Sequence, residues 1–375
     1  MKLTQEQKLV EDMVRKFAKD ELQPVAAELD KVATFPQDMI NKLSELGFMG
    51  IMVPEKYGGA VLDTISYCII IEELAKALAS IGFILVVHNG LVVHSILKYG
   101  NDSQKDKWLP SLAPGDTVGA FGLNEEGMGY DFSKLVTRAE KSGDEYIISG
   151  NKYFVPNAEI ATLFIIFANV SDDPSSLTAF LVERGMPGFE VNEKEDLLGM
   201  RAAGICNLKL NQVKVSADAI LGGKGNGIRI AEEAISFANL GIASLGVGIC
   251  QASLEDSLRY SKERHQFGRP ICEFQLIQEM LVEMKVKLTQ SKLLVYEAAS
   301  NYDTGEPCVT DITLAKLCAT DSAMEATTKA IQVHGGYGYT KDYPVERYFR
   351  DAKVSQIWGG TSTYQKSKIG SSLFQ

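Results

Sequence analysis

Five short segments of this 375-residue chain combine polar groups, glycines and flat rings in ways that suit ligand chemistry. In Arg264-His-Gln-Phe-Gly-Arg-Pro-Ile-Cys-Glu-Phe-Gln275, an arginine stands eleven residues before a glutamine, with a Gly268-Arg-Pro270 turn between them. A guanidinium presents the paired donors that a pyrophosphate accepts, Phe267 supplies an aromatic face and Gln275 an amide. Gln332-Val-His-Gly335-Gly336 follows downstream. Phe121-Gly-Leu-Asn-Glu-Glu-Gly-Met-Gly-Tyr-Asp131 is a polar, Gly-rich turn. Its freed amides and side-chain oxygens either face a ligand or form an ordinary hairpin loop, and Asn124 offers a donor or an acceptor. Lys152-Tyr-Phe-Val-Pro-Asn157 carries Phe154, a flat apolar wall, and Pro156, which has neither hydroxyl nor N–H to give. Near the end comes Ile357-Trp-Gly359-Gly360-Thr361. Among titratable groups, His88 in Phe83-Ile-Leu-Val-Val-His88-Asn89-Gly-Leu-Val-Val-His94 is either a proton acceptor or a core histidine bonded to a neighbouring helix.

The elements that must position these segments follow a plain order. Apolar residues recur every three or four positions over residues 1–118, which predicts helices. From Gly119 the texture changes to short β-branched and aromatic runs, Tyr146-Ile-Ile-Ser-Gly, Thr162-Leu-Phe-Ile-Ile-Phe and Asn207-Leu-Lys-Leu, separated by Gly, Asn, Asp and Pro. This predicts a small antiparallel β domain over 119–226. Long helical periods return at 228–261, 274–302 and 309–334, within a third domain, 227–375. The α, β, α order gives an α+β fold and excludes a doubly wound sheet. A net charge of -10 without a polybasic run argues against nucleic acid and anionic membrane surfaces. The apolar run around Ile81 to Val93 holds His88 and Asn89 and reads as a buried helix, and no secretory leader is expected. Six scattered cysteines without a CxxC pair, and four histidines without helical spacing, predict reduced thiols in the cytoplasm and no metal site.

The whole chain resembles the acyl-CoA dehydrogenase family of flavoenzymes, nearest its short-chain members. The Arg264–Gln275 segment matches R-x-x-F-G-x-P-I-x-x-F-Q, and residues 332–365 match the family's C-terminal signature. Residues 121–131 resemble its T-E-P-x-x-G-S-D loop and residues 152–157 its K-x-W-I-T-N strand. Leu198-Gly-Met-Arg201 and Cys206–Val213 resemble an L-G-x-R-x-S-x-T segment and support the fold alone. The resemblance implies an N-terminal helical domain, a middle β domain and a C-terminal helical bundle, with FAD held partly across a subunit interface of a homotetramer. It implies FAD contacts from Phe121, Leu123, Asn124, Phe154, Pro156, Arg264, Phe267, Gln275, Gln332, Gly335, Gly336 and Thr361. Substrate contacts would come from Tyr130, Ser236, Asn239 and Gly360. The implied substrate is an acyl thioester, on CoA or an acyl carrier protein, with an electron-transferring flavoprotein as the acceptor.

The same comparison exposes a gap. The family's catalytic glutamate stands in an I-Y-E-G-T loop, where this chain has Gly359. A minority of members place it on the first C-terminal helix, where this chain has Ala238, with Asn239 at the position of the accompanying arginine. Pro156, Asn124 and Tyr130 also depart from the pattern around the flavin ring, while Arg264, Gln332, Gly335 and Gly336 keep it. FAD binding is therefore expected with a changed substrate or reaction. His88 is a weak candidate base; Tyr364 and Glu126 are weaker. Three readings stand: a dehydrogenase with an atypical substrate or relocated base, a flavin-dependent oxidase or monooxygenase, and a catalytically silent flavin-binding subunit.

Overall fold

A computed structural model describes residues 2–374. The N-terminal third is helical: α1 (Gln5–Phe17), α2 (Ala26–Val32), α3 (Gln37–Glu45), α4 (Thr64–Ala77), α5 (Ala79–Leu85), α6 (His94–Tyr99) and α7 (Asp102–Leu112). The starts of α1 and α4 have a local cause. Thr4 and Gln7 form a reciprocal capping box at α1, and the Asp63 carboxylate accepts from the Ser66 N–H at α4. Between α5 and α6, Val86–Val93 runs as π-helical turns with every residue buried, as an all-round apolar sequence requires.

An eight-stranded sheet follows: β1 (Gly119–Gly122), β2 (Arg138–Ser142), β3 (Glu145–Val155), β4 (Leu163–Asn169), β5 (Leu177–Glu183), β6 (Phe189–Lys194), β7 (Cys206–Ser216) and β8 (Ile220–Leu221). The continuous apolar run of β4 is buried along its whole length, whereas β7 largely alternates buried and exposed positions. The sheet is mixed, not wholly antiparallel as the sequence suggested. β1 pairs with β4 in parallel, from Gly119↔Leu163 to Gly122↔Ile166, and Arg138 of β2 meets Asn169 in the same sense. Side-chain alternation is blind to strand direction, and β1 reaches β4 through two intervening strands instead of a tight turn.

The C-terminal part is α8 (Gly227–Glu263), the short hairpin β9 (His265–Gln266) and β10 (Arg269–Pro270), α9 (Gln275–Thr304), α10 (Val309–His334), α11 (Val345–Ser355) and α12 (Ser362–Ser372). The 37-residue α8 is the central post, and its glycines let neighbours approach. A Cβ at Gly248 would lie 2.2 Å from the Glu72 carbonyl oxygen of α4. At Gly246 it would lie 2.9 Å from that of Ala319 in α10. By length and composition, Ala79–Tyr99 and α8 could each span a membrane, yet 89% and 83% of their apolar windows are buried inside the protein. Both are core helices.

Candidate functional site

Five distant segments close on one cleft. Its walls are Phe121, Leu123, Asn124 and Tyr130 from the loop after β1, with Tyr153, Phe154 and Pro156 from the end of β3. Leu91 of the π-helical turns, Ile235 of α8, and Trp358 and Gly359 of the loop before α12 complete it. Seven of these were singled out from the sequence; Leu91, Tyr153, Ile235 and Trp358 were not. Phe154 holds φ +52°, unusual for an aromatic residue, while its N–H donates to the Asn207 side chain at 2.9 Å. Among the described residues, no carboxylate or histidine lines the cleft.

The loop at residues 357–360 is tied down by its carbonyls. The Tyr130 hydroxyl donates to the Ile357 oxygen at 2.6 Å, and the Tyr130 ring stacks on Tyr364 with centroids 5.1 Å apart. Lys316 Nζ of α10 donates to the Trp358 oxygen at 2.6 Å and also to that of Gly360. The Gly359 oxygen accepts from Asn239 Nδ2 of α8 and from Gln365 Nε2 of α12, each at 2.9 Å. Lys316 is 1% exposed and forms no ion pair among the described residues, and burial pulls its ammonium down to about 7. With its carbonyl engaged, the Gly359 N–H has no acceptor among the described residues. A side chain at Gly359 meets an obstacle: φ is +65°, and a Cβ would stand 2.1 Å from Asn239 Oδ1. Ala238 is wholly buried beside Gly90, with its Cα 3.3 Å from a Cβ built there.

Of the remaining sequence candidates, Ser236 is half-buried next to Ile235, and Thr361 caps α12 by accepting from the Tyr364 N–H at 3.2 Å. His88 lies apart. It is fully buried, its Nε2 bonds the Leu112 oxygen at 3.1 Å, and its Nδ1 accepts from the Gly119 N–H at 3.2 Å. Burial pulls it down to about 4, and both nitrogens are engaged, so its geometry is that of a core histidine. Glu125, in the same loop as Asn124, forms a buried pair with Lys152 at 2.6 Å and accepts from the Val136 and Thr137 N–H groups. Its partners make it a brace for the loop.

A second recess gathers Arg264 with Gly335, Gly336, Tyr337 and Tyr260. Gly335 holds φ +60°, and neither glycine would meet another atom within 4 Å if given a Cβ, so the backbone there is open. The Arg264 guanidinium lies 5.6 Å from the Tyr337 ring centroid and makes no ion pair among the described residues. An unpaired guanidinium over an open glycine turn fits a pyrophosphate. Gln275 and Gln332 are exposed nearby in sequence, and Phe267 at the hairpin tip is 92% exposed. Arg264, Gly335 and Gly336 thus share one recess and Phe121, Leu123, Asn124, Phe154 and Pro156 another, while Phe267, Gln275, Gln332 and Thr361 line neither. Lys316 and Gln365 carry no motif; a lysine within the small-residue run Ala315-Lys-Leu-Cys-Ala319 was the available sign of a buried cation.

Known proteins share this fold. Family models match residues 4–116 (acyl-CoA dehydrogenase, N-terminal domain), 120–213 (middle domain) and 225–374 (C-terminal domain). The short-chain-specific acyl-CoA dehydrogenase of Clostridium acetobutylicum is 40% identical over 375 residues, covering 100% of this chain and 99% of that protein. The butyryl-CoA dehydrogenase structure from Megasphaera elsdenii superposes with a TM-score of 0.98 at 37% identity, covering 100% of both chains. The prolyl acyl carrier protein oxidase AnaB does so with a TM-score of 0.95 at 32% identity, again over 100% of both. The chain therefore belongs to the acyl-CoA dehydrogenase family of FAD-dependent flavoprotein oxidoreductases.

Proposed function

We propose that this protein oxidises or reduces the CH–CH bond of an acyl thioester, on CoA or on a carrier protein, and that its substrate is atypical. The observation that supports this reading is the cleft itself. It unites the segments that match the family's flavin and acyl contacts, yet both glutamate positions, Gly359 and Ala238, are without a carboxylate. FAD, when bound, supplies the hydride acceptor for Cβ. Arg264, Gln275, Gln332, Gly335 and Gly336 would hold its pyrophosphate side, with Phe267 as an aromatic face. Phe121, Leu123, Asn124, Phe154, Pro156 and Thr361 would hold its ring side. Tyr130, Ser236, Asn239 and Gly360 would border the acyl thioester. The free Gly359 N–H is suited to polarising the thioester carbonyl, which acidifies the α-proton. Here that proton has no carboxylate to receive it.

The division at 118/119 and 226/227, a cytoplasmic setting and an electron-transferring flavoprotein as electron partner belong to the same reading. So does a homotetramer, which would cover Phe267 and the apolar side chains left exposed on α9, Leu276, Val282, Val286 and Leu293. The test is anaerobic titration of the purified holoprotein with straight-chain, alicyclic, dicarboxylic and carrier-bound thioesters. Bleaching of the visible flavin band by one of them is expected. A flavin that no thioester bleaches, in a protein that consumes oxygen with another substrate, would overturn the reading in favour of an oxidase. A flavin inert to both would leave a silent subunit.

A further inference from the structure

Beside Gly359 of the cleft wall lies one buried polar atom without a partner among the described residues. Asn239 is 6% exposed, and its Oδ1 has no hydrogen bond among the described residues. The orientation of the amide is forced: the Gly359 carbonyl only accepts, so Nδ2 must face it, at 2.9 Å. That leaves Oδ1 beside the Gly359 Cα, 2.1 Å from where a side chain would begin. Gly359 lines the cleft, and so does Ile235, one helical turn before Asn239 on the same face of α8. The amide oxygen therefore occupies the start of the path along which a residue at 359 would reach the acyl group.

A buried acceptor without a donor is destabilising, and a ligand that supplies the donor removes the penalty. We propose that Asn239 is a specificity-determining residue whose Oδ1 accepts a hydrogen bond from a neutral O–H or N–H borne on the α-carbon of the acyl group. This rests on the acyl-thioester reading above, which sets the α-carbon against residue 359. The surroundings decide the charge. A carboxylate on Cα would face the lone pairs of Oδ1. A cationic ammonium would find no Asp or Glu lining the cleft, and Lys316 stands behind the loop. An α-hydroxyl or an α-acylamino N–H suits both constraints. The amide oxygen is not a proton acceptor in the catalytic sense, because it is far too weak a base. Its role is to select and orient.

Calorimetric titration of the oxidised holoprotein with four-carbon CoA thioesters tests this: unsubstituted, 2-hydroxy, 2-acetamido and 2-ammonio. The 2-hydroxy or the 2-acetamido thioester, whichever carries the matching donor, is expected to bind about 10-fold tighter than the unsubstituted one. Asn239→Ala should abolish that preference. Gln365→Ala, which removes a donor to the same carbonyls without touching Oδ1, should weaken every thioester alike and keep the preference. Equal affinities in the wild-type protein would overturn the proposal even if Asn239→Ala did not fold. A preference that survives Asn239→Ala would overturn it too. If no thioester binds at all, the acyl-thioester reading falls with it.

Discussion

Restoring the family glutamate at residue 359 should fail unless Asn239 is changed as well. In Gly359→Glu the new Cβ would sit 2.1 Å from Asn239 Oδ1 and 3.1 Å from its Cγ, well inside contact distance. Residue 359 also holds φ +65°, where a non-glycine residue costs about 1–2 kcal/mol. Pushing Asn239 aside breaks its bond to the Gly359 carbonyl, worth about 1 kcal/mol, although Gln365 still donates to that oxygen at 2.9 Å. The single variant should thus lose about 2–3 kcal/mol, by addition of these two terms. Its carboxylate would be displaced from the acyl path. Adding Asn239→Ala removes the obstructing atom and leaves chiefly the backbone term. A positioned general base is worth about 10²–10⁴-fold. The double variant should therefore gain on that order in the rate of flavin reduction by unsubstituted butyryl-CoA, and the single variant far less. Stopped-flow reduction beside thermal unfolding reads both quantities. Equal gains in the single and double variants would refute the steric argument. No gain in the double variant would refute the assignment of residue 359 to the base position.

Two further outcomes follow from other parts of the site. Arg264→Ala should lower FAD affinity about 10–100-fold, the usual worth of a hydrogen bond to a charged group, with little loss of protomer stability because Arg264 pairs with no carboxylate. Flavin content after dialysis measures it, and full retention would remove Arg264 from the phosphate site. Burial holds His88 down at about 4, against an ordinary 6.5, so below pH 6.5 the unfolded chain takes a proton that the folded one refuses. Its contribution is intact above pH 6.5 and is lost as pH falls towards 4. Asp351, pushed up to about 6 by burial, slopes the opposite way between its folded value and 3.8, so the wild-type curve alone would mislead. Comparison with His88→Gln isolates the histidine. The wild-type advantage measured by urea unfolding at pH 7 should shrink by about 2 kcal/mol at pH 5, and a constant gap would contradict it.

The α, β, α order and the three long C-terminal helices were legible because their signal is local: apolar period, capping residues and glycine breaks. Strand direction was not, since β1 and β4 pair in parallel through a long connection and present the same alternation either way. The motif-bearing residues of the cleft were legible as types at fixed spacing, which brought Phe121, Asn124, Phe154, Pro156 and Gly359 to one place. Leu91, Ile235 and Trp358 were not, because apolar wall residues look like any core residue in sequence. Asn239 was visible as an implied substrate contact and as an arginine missing from a pattern. Its orphaned oxygen depends on the separation of two backbones 120 residues apart, which no local spacing reports.

The consequence for mechanism lies in how the loop stands without its glutamate. The carbonyls from Ile357 to Gly360 are held by Tyr130, Lys316, Asn239 and Gln365, which come from the β1 loop, α10, α8 and α12. None of these bonds uses the side chain of residue 359, whereas a glutamate there would displace Asn239 from the network. Glycine at 359 therefore leaves the carbonyl tethers in place and the Gly359 N–H free. A site altered in this way keeps the Gly359 N–H available and carries no carboxylate at either family glutamate position. Under the acyl-thioester reading proposed above, the substrate's own polar group completes the site, and the fourfold tether of the loop is the feature that any loss of binding should follow.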